Sequence, residues 1–139
     1  MPQAQAFVQA CDDFRIQKIL QDFFENTLNL YNVELKTDLG GVKEIFDGTA
    51  KRDWIFENIQ ASIDQHQITQ IILINHTDCT AYGGWDAFPN PDEEIHLHEI
   101  QLRHAVSGVK AKFPRLTVSA YLIILGRLSD EPTTIKKVI

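Results

Sequence analysis

Two short segments carry the residue types that metal chemistry needs. Cys11-Asp12-Asp13-Phe14-Arg15 sets a thiol, two carboxylates and a guanidinium within one short stretch, and His76-Thr77-Asp78-Cys79 sets an imidazole one turn ahead of a second thiol. Cys11 and Cys79 are the only two cysteines. That number excludes a disulfide-rich scaffold and a four-cysteine zinc ribbon. It leaves one bridge, two inert buried thiols, or two ligands of a mixed metal site. Two thiolates and an imidazole suit zinc, which takes sulfur and nitrogen in a tetrahedron; three protein ligands with the fourth place open make the catalytic arrangement, four a closed structural one. His76 and Cys79 can face one ion from a tight turn or a helix start, with Cys11 arriving from a neighbouring strand. The competing reading is two buried cysteines, a common fate for free thiols, beside a hydrogen-bonded histidine.

The elements that would have to bring these segments together follow from the apolar patterning. Ala6 to Ala10 reads as a short strand ending at Cys11. Ile16, Ile19, Leu20, Phe23, Phe24 and Leu28 recur at steps of three and four, which predicts a helix from about Arg15 to Leu28. Tyr31 to Lys36 reads as a second strand, Lys51 to Gln65 as a helix, and Thr69 to Asn75 as a strand buried on both faces. Thr80 to Pro91, with Gly83-Gly84, Pro89 and Pro91, reads as loop. A long helix then runs from about Glu93 to Phe113, stopped by Pro114. Leu116 to Leu125 is a further strand, and Thr134 to Val138 can pair back as a short last one.

Strands alternating with helices predict an α/β fold, with a mainly parallel central sheet and helices on both faces, joined by right-handed crossovers. The length, 139 residues, suits one domain spanning residues 1–139. In such sheets ligands bind beyond the carboxyl ends of the strands, where the strand order reverses. Cys11 follows the first strand and His76 follows the buried strand after the second helix. If those strands are neighbours, both thiols and the imidazole meet at one point.

The paired segments fit C-x-D-x-R and H-x-x-C, and in this order, after these strands, they resemble the signature of the beta-class carbonic anhydrases. The resemblance covers most of the chain from about Phe7, including a last hairpin built on Ser119-Ala120-Tyr121-Leu122 and a turn at Gly126. It implies a three-layer sandwich with strand order about 2-1-3-4 and a short final antiparallel strand. It implies Zn2+ as cofactor, held by Cys11, His76 and Cys79, with Asp13 and Arg15 as the catalytic dyad. The implied activity is a zinc lyase (carbonate dehydratase) that hydrates carbon dioxide to bicarbonate through a zinc-bound hydroxide. Asp13 would orient that hydroxide, or swing onto the metal as a fourth ligand, and Arg15 would hold Asp13 back by a bidentate pair that lysine reproduces poorly. Two other readings use the same site: a zinc-binding protein of this family without turnover, serving binding or assembly, and a hydrolase of a related small molecule such as carbonyl sulfide or carbon disulfide. Family members form dimers, so a homodimer or higher homo-oligomer is expected. The chain departs from the family pattern at Thr37-Asp38-Leu39-Gly40-Gly41 after the second strand, at Thr80 after the second cysteine, in the Tyr82-Gly83-Gly84-Trp85 loop, and in having only ten residues ahead of Cys11.

Composition narrows the partners. The net charge of -6 argues against a nucleic-acid or anionic-membrane binder. The aliphatic runs Ile71 to Ile74 and Leu122 to Leu125 fall far short of the ~20 residues that span a bilayer. The first residues lack a basic and apolar leader, so a cytoplasmic protein with reduced thiols is expected. Arg15 lies too close to Cys11 for a phosphatase loop, Cys-x-x-Cys is absent, and Gly40-Gly41 alone is no phosphate loop. Pro91-Asp92-Glu93-Glu94 reads as a solvated helix start that suits the helix dipole. His96, His98 and His104 read as surface residues of the long helix, because His96 and His98 cannot share a helix face.

Overall fold

The computed structural model describes residues 2–139. Five strands form one sheet: β1 (Ala6–Ala10), β2 (Val33–Thr37), β3 (Gln70–His76), β4 (Thr117–Ile124) and β5 (Thr134–Lys137), in the order β2-β1-β3-β4-β5. All pairs are parallel except β4 with β5. The helices are α1 (Gln17–Asn26), α2 (Lys43–Asp47), α3 (Ala50–His66) and α4 (Pro91–Lys112), with short 3-10 turns at Phe14–Ile16, Thr80–Tyr82 and Trp85–Ala87. No helix among the described residues is long and apolar enough to cross a membrane.

Alternation along the strands divides the core into two. Phe7, Ile71, Leu73, Ala120 and Leu122 face α2, α3 and α4, where Ile45, Ile55, Ile59, Leu102 and Val109 cover them. Val8, Ile72, Ile74, Tyr121 and Ile123 face the other way, onto Ile16, Leu20, Phe23 and Phe24 of the α1 segment. The sheet is thus the middle of three layers, and β3 is continuously aliphatic because each of its faces is covered. Each such side chain contributes about 1.5–3 kcal/mol on burial.

Local chemistry sets the ends. Asn90 caps α4 by accepting the Glu93 N–H at 2.9 Å, Pro91 opens the first turn, and Lys110 and Lys112 sit in the last. The first predicted helix resolves into the 3-10 turn and α1, ending sooner than its apolar periodicity implies. Asn29 takes φ 55°, and the N–H of Leu30 turns back to the Phe24 carbonyl at 2.8 Å. Strand β2 starts later than predicted because the Gln5 side chain accepts the N–H groups of Tyr31 and Asn32. Helix α2 falls in a stretch predicted as neither helix nor strand; five residues are too few to show a helical period.

Candidate metal centre

The chain passes from β1 to β2 on one side of the sheet and then crosses to β3 on the other, so the strand order reverses between β1 and β3. These two run parallel, Phe7 beside Ile71 and Gln9 beside Leu73, and β3 runs on to His76, two residues past the level of Ala10. Cys11 leaves β1 and His76 closes β3. The ligand atoms of Cys11, His76 and Cys79 all lie within 4.8 Å of one another. The three side chains are buried, at 2%, 1% and 2% exposure.

The donor set and its spacing suit zinc. Its two Sγ atoms stand 3.9 Å apart; sulfurs bound tetrahedrally at ~2.3 Å would stand about 3.8 Å apart. His76 Nδ1 lies 2.7 Å from the Thr77 carbonyl, which fixes the proton there. That leaves Nε2 as a bare lone pair, buried and without any hydrogen-bond partner. A metal ligand is typically held this way, one ring nitrogen donating to a carbonyl and the other facing the ion. Gly40 N–H donates to Cys11 Sγ at 3.4 Å, giving a role to a Gly-Gly pair that carried none as a phosphate loop. Gly41 has φ 62°, and a Cβ there would meet Asn75 Oδ1 at 2.7 Å, so this approach needs glycine. The thiols also act on each other: the Cys79 thiol as hydrogen-bond partner brings Cys11 down to about 4 against the opposing effect of burial, and the same contact pushes Cys79 up.

Asp13 and Arg15 form the predicted pair. Asp13 Oδ1 accepts the Arg15 backbone N–H at 2.8 Å and Nε–H at 3.1 Å, and Oδ2 accepts from Nη2 at 2.8 Å. The Arg15 guanidinium holds the Asp13 carboxyl below the usual carboxylate range, and Asp13 in turn raises Arg15. Asp13 Oδ2 lies 3.8 Å from His76 Nε2, at the edge of the cluster. Arg15 reaches further than predicted, to Asp78 Oδ2 and to the Asp78 carbonyl, each at 2.9 Å.

Two expectations about α4 are overturned. His98 is 0% exposed and Glu94 1%, whereas both were read as solvated. Glu94, His98, Gln101 and Leu102 fall on one helical face, in phase with Ala105 and Val109, and that face packs on the sheet. His96 and His104 are exposed as predicted. The signal for His98 lay in this phase with the apolar stripe rather than in its distance from His96. Asn75 donates to His98 Nδ1 at 3.1 Å and to the Tyr82 hydroxyl at 3.2 Å. Its Oδ1 accepts the Val42 N–H, which sets the orientation of the amide. His98 is therefore an acceptor at Nδ1, and burial lowers it to about 4.

Comparison with known proteins places the chain in a family and matches its fold. Residues 1–125 match the family model described as "Putative carbonic anhydrase", and the chain belongs to that family. Solved structures share the fold. The carbonic anhydrase of Streptococcus mutans superposes with a TM-score of 0.63 at 15% identity, over 99% of this chain and 83% of that one. The beta-carbonic anhydrase isoform I of Trichomonas vaginalis gives 0.62 at 13%, over 99% and 84%. That of Aspergillus fumigatus gives 0.64 at 11%, over 99% and 77%. An uncharacterized protein of Rickettsia bellii is 26% identical over 135 residues, 93% of this chain and 82% of its own length.

Proposed function

We propose that the protein is a carbonic-anhydrase-type zinc lyase that hydrates carbon dioxide to bicarbonate, with Cys11, His76 and Cys79 as zinc ligands and Asp13 and Arg15 as the catalytic pair. The observation that carries this reading is the buried, partnerless His76 Nε2, aimed among two thiols with a carboxylate oxygen 3.8 Å away. Bound zinc would supply a Lewis acid that lowers the pKa of water to about 7. Asp13 accepts a hydrogen bond from the reacting water at Oδ2 and so orients it. Arg15 keeps Asp13 ionised and engages two edges of its guanidinium, one with Asp13 and one with Asp78, so the carboxylate does not drift toward the ligands. The overall reaction consumes carbon dioxide and water and yields bicarbonate and a proton, which leaves to solvent.

Membership of the carbonic anhydrase family supports this chemistry, and the reduced, closely spaced thiols suit a cytoplasmic setting. A homodimer belongs to the same proposal. Phe14, between Asp13 and Arg15, is 82% exposed and Leu39, beside Gly40, is 51% exposed; a second copy would cover these apolar side chains at the rim of the site. Sedimentation at micromolar concentration should give a dimer, and a clean monomer would remove this part.

One observation favours a second reading. Asp13 stands close enough to the cluster to become a fourth ligand, which would make a zinc protein without turnover. Stopped-flow carbon dioxide hydration separates the two. Wild type should exceed the buffer rate between neutral and alkaline pH, and Asp13→Ala should fall about 10²-fold or more. A wild type no faster than buffer rejects the lyase, and the same protein tested on carbonyl sulfide or carbon disulfide then decides for or against hydrolysis at this site.

A further inference from the structure

Asp78 sits between two of the three clustered residues, and all of its polar groups are engaged. Its N–H donates to Glu94 Oε2 at 2.7 Å, and its Oδ1 accepts the Trp85 N–H at 2.9 Å. Its Oδ2 and its carbonyl both accept from Arg15. Its backbone is left-handed, φ 57°, a conformation that L side chains rarely adopt. Aspartate tolerates this conformation better than most residues, and the surrounding contacts fix it. The residue placed to do so is Glu94, on the first turn of α4. Asp92 and Glu93 in the same turn are exposed and serve the helix dipole from solvent, whereas Glu94 is 1% exposed. A buried carboxylate is costly unless its oxygens are used. One oxygen takes the Asp78 N–H, and the other lies 3.7 Å from Arg127 Nη2, whose guanidinium rests 5.1 Å over the Trp85 ring.

We propose that Glu94 is a positioning residue of the metal centre: its carboxylate clamps the Asp78 peptide in the left-handed turn that aims Cys79 and presents the Asp78 carbonyl and carboxylate to Arg15. The N–H and the carbonyl of Asp78 belong to the two peptide planes that flank its Cα, so fixing the first at this backbone angle also sets the direction of the second. With its N–H fixed on Glu94, the turn between His76 and Cys79 has one shape. With that shape fixed, Arg15 has its two Asp78 contacts, and these hold the guanidinium against Asp13. Glu94 touches neither the ligands nor the reacting atoms and acts through Asp78. Its effect on metal binding rests on the zinc reading above; its effect on Arg15 does not.

The test compares Glu94→Gln, which keeps an oxygen for the Asp78 N–H, with Glu94→Met, which keeps the length and removes the acceptor. The first readout is titration of the full chain with cobalt(II), following affinity and the thiolate-to-cobalt absorption band. The second, without metal, is hydrogen exchange of the Asp78 amide and of the Arg15 Nε–H by NMR. Glu94→Met should bind cobalt about 10–100-fold more weakly with an altered band. Its Asp78 and Arg15 protons should exchange about tenfold faster or more. Glu94→Gln should restore both readouts to wild type. Equal behaviour of the two variants overturns the proposal, whether both lose or both keep the wild-type values. If Glu94→Met does not fold, Glu94→Asp, which withdraws the carboxylate by one methylene, takes its place and must move the same readouts in the same direction. A wild type that binds no cobalt removes the zinc reading alone, and the exchange measurement still decides the role of Glu94.

Discussion

Two buried histidines lie on adjoining elements, and each has one ring nitrogen engaged and Nε2 without a hydrogen-bond partner. His76 closes β3 and points its free nitrogen among two sulfurs. His98 on α4 has the Tyr82 ring edge-on at 4.6 Å, the Asn75 amide at Nδ1, and Glu94 Oε2 at 3.9 Å from Nε2. A partnerless buried nitrogen is therefore not in itself a site. The neighbours decide: soft sulfur donors at tetrahedral spacing make His76 a candidate ligand, and an amide, a ring and a carboxylate make His98 part of the packing between helix and sheet.

Replacements on the His76 side should give the largest effects. Cys79→Ser should abolish retention of zinc through purification, leaving far less than one zinc per chain by elemental analysis where wild type keeps about one. Metal content unchanged in Cys79→Ser would break the distinction between the two histidines. Next comes Arg15→Lys, which keeps the charge but loses the fork that grips Asp13 at two oxygens. Carbon dioxide hydration should fall about 10–100-fold with zinc content intact; a wild-type rate would remove Arg15 from the pair.

The His98 side should answer in stability rather than in metal. His98→Ala should keep zinc and lose about 1–3 kcal/mol in denaturant unfolding, from the unpartnered Asn75 donor and the space left beside Tyr82. Loss of zinc in this variant would blur the comparison. The smallest effect is one of pH. His98 titrates at about 4 in the folded chain and near 6.5 unfolded. Between those values the unfolded chain binds the extra proton and the folded chain does not. The contribution of a neutral His98 is thus fully present above pH 6.5 and is lost as pH falls toward 4, at most about 3 kcal/mol. His98→Gln should flatten that part of the pH–stability curve, and an unchanged slope would place the titration elsewhere.

Much of this arrangement could be read from residue order. β1 was bounded to the residue, because an apolar run ended at Cys11, and β3 was legible as a continuous aliphatic stretch. The residues that converge at the candidate site stood out because a C-x-D-x-R and an H-x-x-C segment each lie at the carboxyl end of a strand. The rest turned on contacts that no local window contains. Glu94 looked like an ordinary acidic helix start, and its use, holding the N–H of Asp78, depends on α4 crossing the end of β3. Asp78 reads as an unassigned position between a histidine and a cysteine, although an aspartate is one of the few residues that tolerate a left-handed turn. Gly40 and Gly41 lay in a stretch without a period, and only the neighbouring strand ends show why their backbone must come so close to Cys11 and Asn75.

The claim on which the rest depends is that Cys11, His76 and Cys79 together hold zinc. X-ray absorption at the zinc edge of the purified full chain tests it most directly. The prediction is two sulfur neighbours at about 2.3 Å and two nitrogen or oxygen neighbours at about 2.0–2.1 Å, with both sulfur contributions present in wild type and one gone in Cys11→Ser. A sample without zinc, or a zinc shell without sulfur, would contradict it.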